Sequence, residues 1–113
     1  MPAQRLRPRG APTTPAERFG ENVRRFRHRV DLSQEELAFR SGLHRTEIGF
    51  LENGKRSPGI DTVVKLMGAL EVSANDLLTG IEWVPNPDSI GGHLHIRWAD
   101  GSTRIVVRRS PDS

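Results

Sequence analysis

The chain has 113 residues, with 17 Lys and Arg against 14 Asp and Glu, a net charge of +3 and no cysteine. That length suits one small core with appendages rather than an enzyme pocket between two domains, and the lack of cysteine excludes disulfides and thiolate zinc sites. No apolar run reaches the length of a membrane span, and the N-terminal arginines lack the apolar core of a signal peptide, so a cytoplasmic protein is expected.

The charge is unevenly placed. Residues 1–30 carry eight arginines against Glu17 and Glu21, whereas residues 31–80 carry Arg40, Arg45, Lys55, Arg56 and Lys65 against eight acidic residues. A basic first third attached to an acidic remainder points to a polyanionic partner held largely by the leading segment. Met1 to Thr13 is rich in Pro, Arg and Ala without apolar periodicity and reads as disordered. Arg5, Arg7 and Arg9 suit a basic arm along a DNA backbone or minor groove, with a solvated tail as the alternative.

Thr14-Pro15-Ala16-Glu17 is a capping box with proline at the first helical position, where its missing donor costs nothing. Phe19, Val23, Phe26 and Val30 then recur at helical spacing and predict a buried stripe, leaving Arg18, Arg24, Arg25 and Arg29 largely outside it. A second box, Ser33 to Glu36, opens a helix over residues 34–41, and Gly42 reverses the chain quickly with Leu43 as an apolar plug. His44 caps the next helix, less well than Ser or Thr. In that helix Ile48 and Leu51 point inward, which leaves Arg45, Thr46, Gly49, Phe50 and Asn53 on the other side. Two short helices, a tight turn and a free polar face have the layout of a helix-turn-helix.

Asn53-Gly54-Lys55-Arg56-Ser57-Pro58 reads as a loop, with Gly54 ending the helix in a left-handed turn. A fourth helix over about residues 61–70 is expected to bury Ile60, Val63, Val64, Leu66, Met67 and Leu70. A fifth starts at the cap Ser73, with Asp76 completing the box, and ends at Gly80. Beyond it the helical period breaks at Trp83-Val84-Pro85-Asn86-Pro87. His93 to Trp98 alternates strictly, Asp100-Gly101 is a hairpin turn signal, and Thr103 to Arg108 answers it. A two-residue turn there sets Trp98 opposite Thr103, Ile96 opposite Ile105 and Leu94 opposite Val107, making one face of the hairpin apolar. Ile81 and Trp83 offer a short third strand. His93 and His95 share the other face with Arg97, and without a nearby carboxylate or thiolate they read as a solvated face, not a metal site.

The residues Ser33-Gln34, Leu37-Ala38, Gly42-Leu43, Ile48, Leu51-Glu52-Asn53-Gly54-Lys55 and Pro58 resemble the DNA-binding domain of lambda-type phage repressors, Cro and the xenobiotic-response-element family of bacterial regulators. The resemblance continues through Leu77-Leu78 and Gly80. It implies a mainly α, five-helix lambda-repressor-like domain over residues 14–80 with its motif at 33–52. A basic arm precedes it at 1–13, and a linker and small C-terminal β-hairpin follow at 81–113, α+β overall. It also implies an ion pair between Arg27 and Glu52, tying the first helix to the third.

The function so implied is that of a sequence-specific transcriptional regulator, a repressor acting as a homodimer on double-stranded DNA in the nucleoid. Arg45, Thr46, Gly49 and Phe50 are the base-facing candidates, because the recognition helix enters the major groove and arginine suits the paired acceptors of guanine. Ser33, Gln34, His44, Asn53, Lys55 and Arg56 are the candidates for phosphate contact and positioning. Phe50 departs from the polar residue usual at its place and suits a thymine methyl, or packing under the appendage. Leu94, Ile96, Trp98, Ile105 and Val107 form the candidate dimerisation face, with packing on the chain's own helices as the alternative. An antitoxin or adaptor that holds a protein partner such as a toxin, and also binds DNA, is the second reading. No cofactor, metal or catalytic constellation is expected.

Overall fold

The computed structural model describes residues 12, 14–97 and 103–106, the last four as backbone. Five helices lead into one antiparallel sheet: α1 Pro15–Arg29, α2 Gln34–Ser41, α3 Arg45–Glu52, α4 Ile60–Leu70, α5 Ala74–Leu77, then β1 Ile81–Pro85, β2 Gly92–Arg97 and β3 Thr103–Val106 in the order β1-β2-β3. The arginine-bearing arm, the Asp100-Gly101 turn, Trp98 and Val107 lie outside the described residues.

Local chemistry sets the helix starts. Thr14 accepts from the Glu17 amide at the head of α1, and Ser33 and Ser73 each form both halves of a capping box, with Glu36 and Asp76. His44 sits at the cap of α3 with no side-chain hydrogen bond there, as its chemistry predicts. Gly42 and Gly54 take left-handed φ values of 73° and 69° at the turns after α2 and α3. The helix α5 is one turn long and ends before Gly80, because Leu78 already leaves helical geometry.

The core is built from one stripe of each helix: Phe19, Val23 and Phe26 of α1, Leu37 and Ala38 of α2, Ile48 and Leu51 of α3, Leu66, Ala69 and Leu70 of α4, and Leu77 of α5. Against expectation, Val30 is 44% exposed, because the helix has ended and the residue serves as its C-cap. Ile60 and Val64 are 77% and 57% exposed. They lie four apart on the side of α4 opposite Leu66 and Leu70, so the apolar band of this helix is wider than the face it buries.

Arg18, expected outside the stripe, is buried, and its role is to hold the exit of the helical domain. Its Nε donates to the Thr79 carbonyl at 3.0 Å, while Asn22 Nδ2 donates to the Leu77 and Thr79 carbonyls at 2.8 and 2.9 Å. The carbonyls at the end of the short α5 are thereby satisfied by α1 side chains. Gly80, at φ 84°, turns the chain there, and a Cβ on it would stand 2.6 Å from Arg18 Nε.

The sheet follows directly. Ile81 pairs with Ile96 and Trp83 with Leu94, so the third strand foreseen at Ile81 and Trp83 forms. Ile96 is fully buried, whereas Trp83 is 54% exposed: the inner end of the apolar face packs on the helices and the outer end projects. Between β2 and β3 the register differs from expectation. Arg97 pairs with Thr103, His95 with Ile105 and Leu94 with Val106, one residue away from the register that a two-residue Asp100-Gly101 turn would set. The one-residue slip sets Ile96 opposite Arg104, and the expected apolar pairing of Ile96 with Ile105 does not form.

Candidate nucleic-acid interface

The helix α3 is anchored from behind at both ends. Ile48 and Leu51 are buried against the core. At the C-terminal end the backbone of α1 comes so close that a Cβ on Gly20 would stand 2.1 Å from the Leu51 carbonyl oxygen. Only glycine permits that crossing without a shift of one helix.

Beside this contact lies the expected Arg27–Glu52 pair. Arg27 Nε donates to Glu52 Oε2 at 2.6 Å and Nη2 to Oε1 at 2.9 Å, a two-pronged geometry. Arg27 Nη1 also reaches the Leu32 carbonyl, and Gln34 Nε2 donates to Glu52 Oε1 at 3.1 Å. One buried carboxylate therefore joins α1, α2 and α3. Burial pushes the Glu52 carboxyl up, but the hydrogen bonds from Arg27 and Gln34, with the charges of Arg27 and Arg24, outweigh it and hold the group below the usual carboxylate range. Arg27 is correspondingly raised, chiefly by its hydrogen bond to Glu52, against the opposing effect of burial.

The opposite face of α3 is open. Arg45, Thr46 and Phe50 are exposed, and Gly49 sits half-buried between them. A Cβ placed on Gly49 meets no atom within 4 Å, so nothing inside the described chain requires glycine there. The Phe50 ring carries the Arg56 guanidinium at 5.2 Å from its centroid, a cation–π contact that orders the loop after α3 against the helix. Lys55 and Asn53 are exposed on the same loop. Ser33 and His44, the caps of α2 and α3, are exposed, and an open groove of about 490 Å³ is lined by Arg27, Ser33, Gln34, Glu35 and Arg45. Of the residues read as base-facing or positioning, Gln34 alone is engaged with Glu52 from a half-buried place. The groove brings Ser33, Gln34 and Arg45 together, and the cation–π contact brings Phe50 to Arg56.

Sequence reading missed Arg24. It lies three residues before Arg27 and so one turn away on the same side of α1, and its Nη2 donates to Asn53 Oδ1 at 3.4 Å beside the C-terminus of α3. That spacing is the signal that could have found it. The dimerisation candidates fare differently: Ile96 is buried within its own chain and Leu94 is half-buried. Among the described residues no cluster of three His, Asp or Glu side chains is arranged to hold a metal ion, and no helix is long and apolar enough to cross a membrane.

Two short helices joined through a left-handed glycine, with the second held rigidly and its polar face free, define a DNA-reading helix-turn-helix domain. A helix-turn-helix family model matches residues 23–77. Over 63 residues the chain is 48% identical to the control protein C.SmaI of Serratia marcescens, covering 56% of this chain and 75% of that protein. It is 44% identical over 61 residues to the control protein C.BamHI of Bacillus amyloliquefaciens, covering 53% and 75%. The restriction-modification controller protein C.AhdI of Aeromonas hydrophila is 39% identical, with a TM-score of 0.54 over 55% of this chain and 94% of that one. The chain belongs to the helix-turn-helix family of DNA-binding transcriptional regulators.

Proposed function

We propose that the chain is a homodimeric repressor that acts by binding alone, without catalysis, in the cytoplasm, with α3 of each copy in the major groove of one half-site. Its likeness to control proteins supports a place as the regulator of a restriction-modification locus. Arg45 and Thr46, at the N-terminal end of α3, read base edges. Gly49 lets the helix approach the groove wall, and Phe50 meets a thymine methyl. Ser33, Gln34, His44, Asn53, Lys55 and Arg56 bind phosphates and set the register.

The observation that carries this reading is the bare Gly49 on the exposed face of an otherwise rigid helix. In a helix interior glycine costs about 1 kcal/mol relative to alanine, and no neighbour within the described residues explains it. Close approach of an external partner does. Arg45→Ala is expected to weaken binding to a selected operator by ~1–3 kcal/mol and to relax one base position, while Lys55→Ala weakens all sequences alike. Quantitative selection from a randomised duplex pool, followed by titration on the selected and on mixed-sequence DNA, separates the two. Equal losses for Arg45→Ala on both duplexes would refute base reading by that residue.

A further inference from the structure

Glu52 offers one negative charge to two arginines. Both its oxygens accept from Arg27, and Oε1 accepts in addition from Gln34 Nε2. Arg24 approaches the same Oε1 only to 3.5 Å, its side chain is 49% exposed, and its hydrogen bond to Asn53 is long at 3.4 Å. The cluster therefore carries a surplus positive charge, and that charge resides on the outer, solvent-facing guanidinium. It stands where α3 ends and the loop bearing Asn53, Lys55 and Arg56 begins.

We infer that Arg24 is a phosphate-positioning residue of the DNA complex, contributed by α1, a helix to which the sequence reading gave only the structural Arg27 tie. The inference rests on the proposed docking of α3. Without DNA the guanidinium rests against Asn53 and Glu52, where the partial negative charge of the α3 C-terminus also favours a cation. With DNA it turns outward to a phosphate oxygen beside the one held by Lys55, a short rotation, since no short hydrogen bond holds it back. Neutralising Arg24 leaves Glu52 paired with Arg27, so the fold is retained.

Arg25 is the internal control. It is the next residue on the same helix and has the same charge, but its guanidinium lies over the Phe26 ring at 5.1 Å and its charge acts on Asp76, the box residue of α5. Arg24→Gln and Arg25→Gln thus change the net charge equally while removing it from different sides of α1.

The experiment titrates the full chain with a mixed-sequence double-stranded oligonucleotide at several salt concentrations, alongside thermal melts. Arg24→Gln is expected to reduce the slope of log K against log salt by about 0.9 per bound protomer, with little change in melting temperature. Arg25→Gln should leave the slope unchanged, and Arg24→Lys should restore it. If the wild-type chain binds and Arg24→Gln has the slope of Arg25→Gln, Arg24 is only a tie between α1 and α3 and the inference is overturned. If the wild-type chain does not bind duplex DNA, the proposed docking itself fails and this role falls with it.

Discussion

Gly49 and Glu52 lie three residues apart on one helix and face opposite demands. Gly49 has open space where a side chain would stand, so alanine there meets no steric penalty and improves helix propensity. Gly49→Ala is expected to raise stability by up to about 1 kcal/mol in denaturant titrations and to weaken operator binding; tighter binding by the variant would remove close approach as the explanation. Glu52 is different, since its carboxylate is buried and satisfied by Arg27 and Gln34. Because its folded pKa lies below the unfolded value of about 4.3, the unfolded chain binds the proton more readily as pH falls. The stability due to Glu52 is thus complete above the unfolded value and lost as pH drops through the depressed one. Glu52→Gln should unfold more easily than wild type at neutral pH and converge toward it in acid, whereas a difference independent of pH would assign the effect to packing. Truncating Arg27 alone strands a buried carboxylate, a loss of the order of 3–5 kcal/mol.

Among the elements, those bounded by local signals were legible and those decided by contact were not. The spans of α2 and α3 follow the capping boxes, the left-handed glycines and the inward positions, and the structure places both helices over the expected residues. The helix α4 was legible as a helix but not in its orientation. Its apolar residues cover more than one face, and only its packing beside α2 and α5 chose Leu66, Ala69 and Leu70 over Ile60 and Val64. Arg18 was misread for the same reason. A charged residue beside an apolar stripe normally points to water, but here unpaired carbonyls at the end of α5 draw it inward. The hairpin register also escaped, because Asp-Gly signals a two-residue turn whereas the strands pair one residue away from the register that such a turn sets.

At the scale of the whole molecule, the proposed dimer requires a surface that a second copy covers. The expected β-face is partly consumed within the chain, since Ile96 is buried against the helices. The β1 edge is also poorly suited to strand pairing: Pro85 has no amide hydrogen, and the Ile81 amide donates to the Leu78 carbonyl. Among the exposed apolar residues described, Ile60 and Val64 share one side of α4, whereas Trp83 and Val84 of β1 point to opposite faces of the sheet. The proposed dimer is expected to use the α4 face, because its two residues share one side of a rigid helix. Sedimentation equilibrium should find Val64→Asp monomeric and Trp83→Asp dimeric, and the reverse result would return dimerisation to the sheet.

The sequence by itself determined the five helices, the buried and exposed faces of α3 and the Arg27–Glu52 tie, because caps, glycines and a 3.6-residue period act over a few neighbours and because a resemblance supplied the long-range pair. Only the tertiary structure decided that Arg18 and Asn22 hold the exit from α5, that Arg24 reaches Glu52 and Asn53, that α4 leaves an apolar strip open and that the sheet docks through Ile96. Those outcomes depend on which carbonyls, charges and apolar surfaces meet across segments far apart in the chain, and no local pattern encodes them.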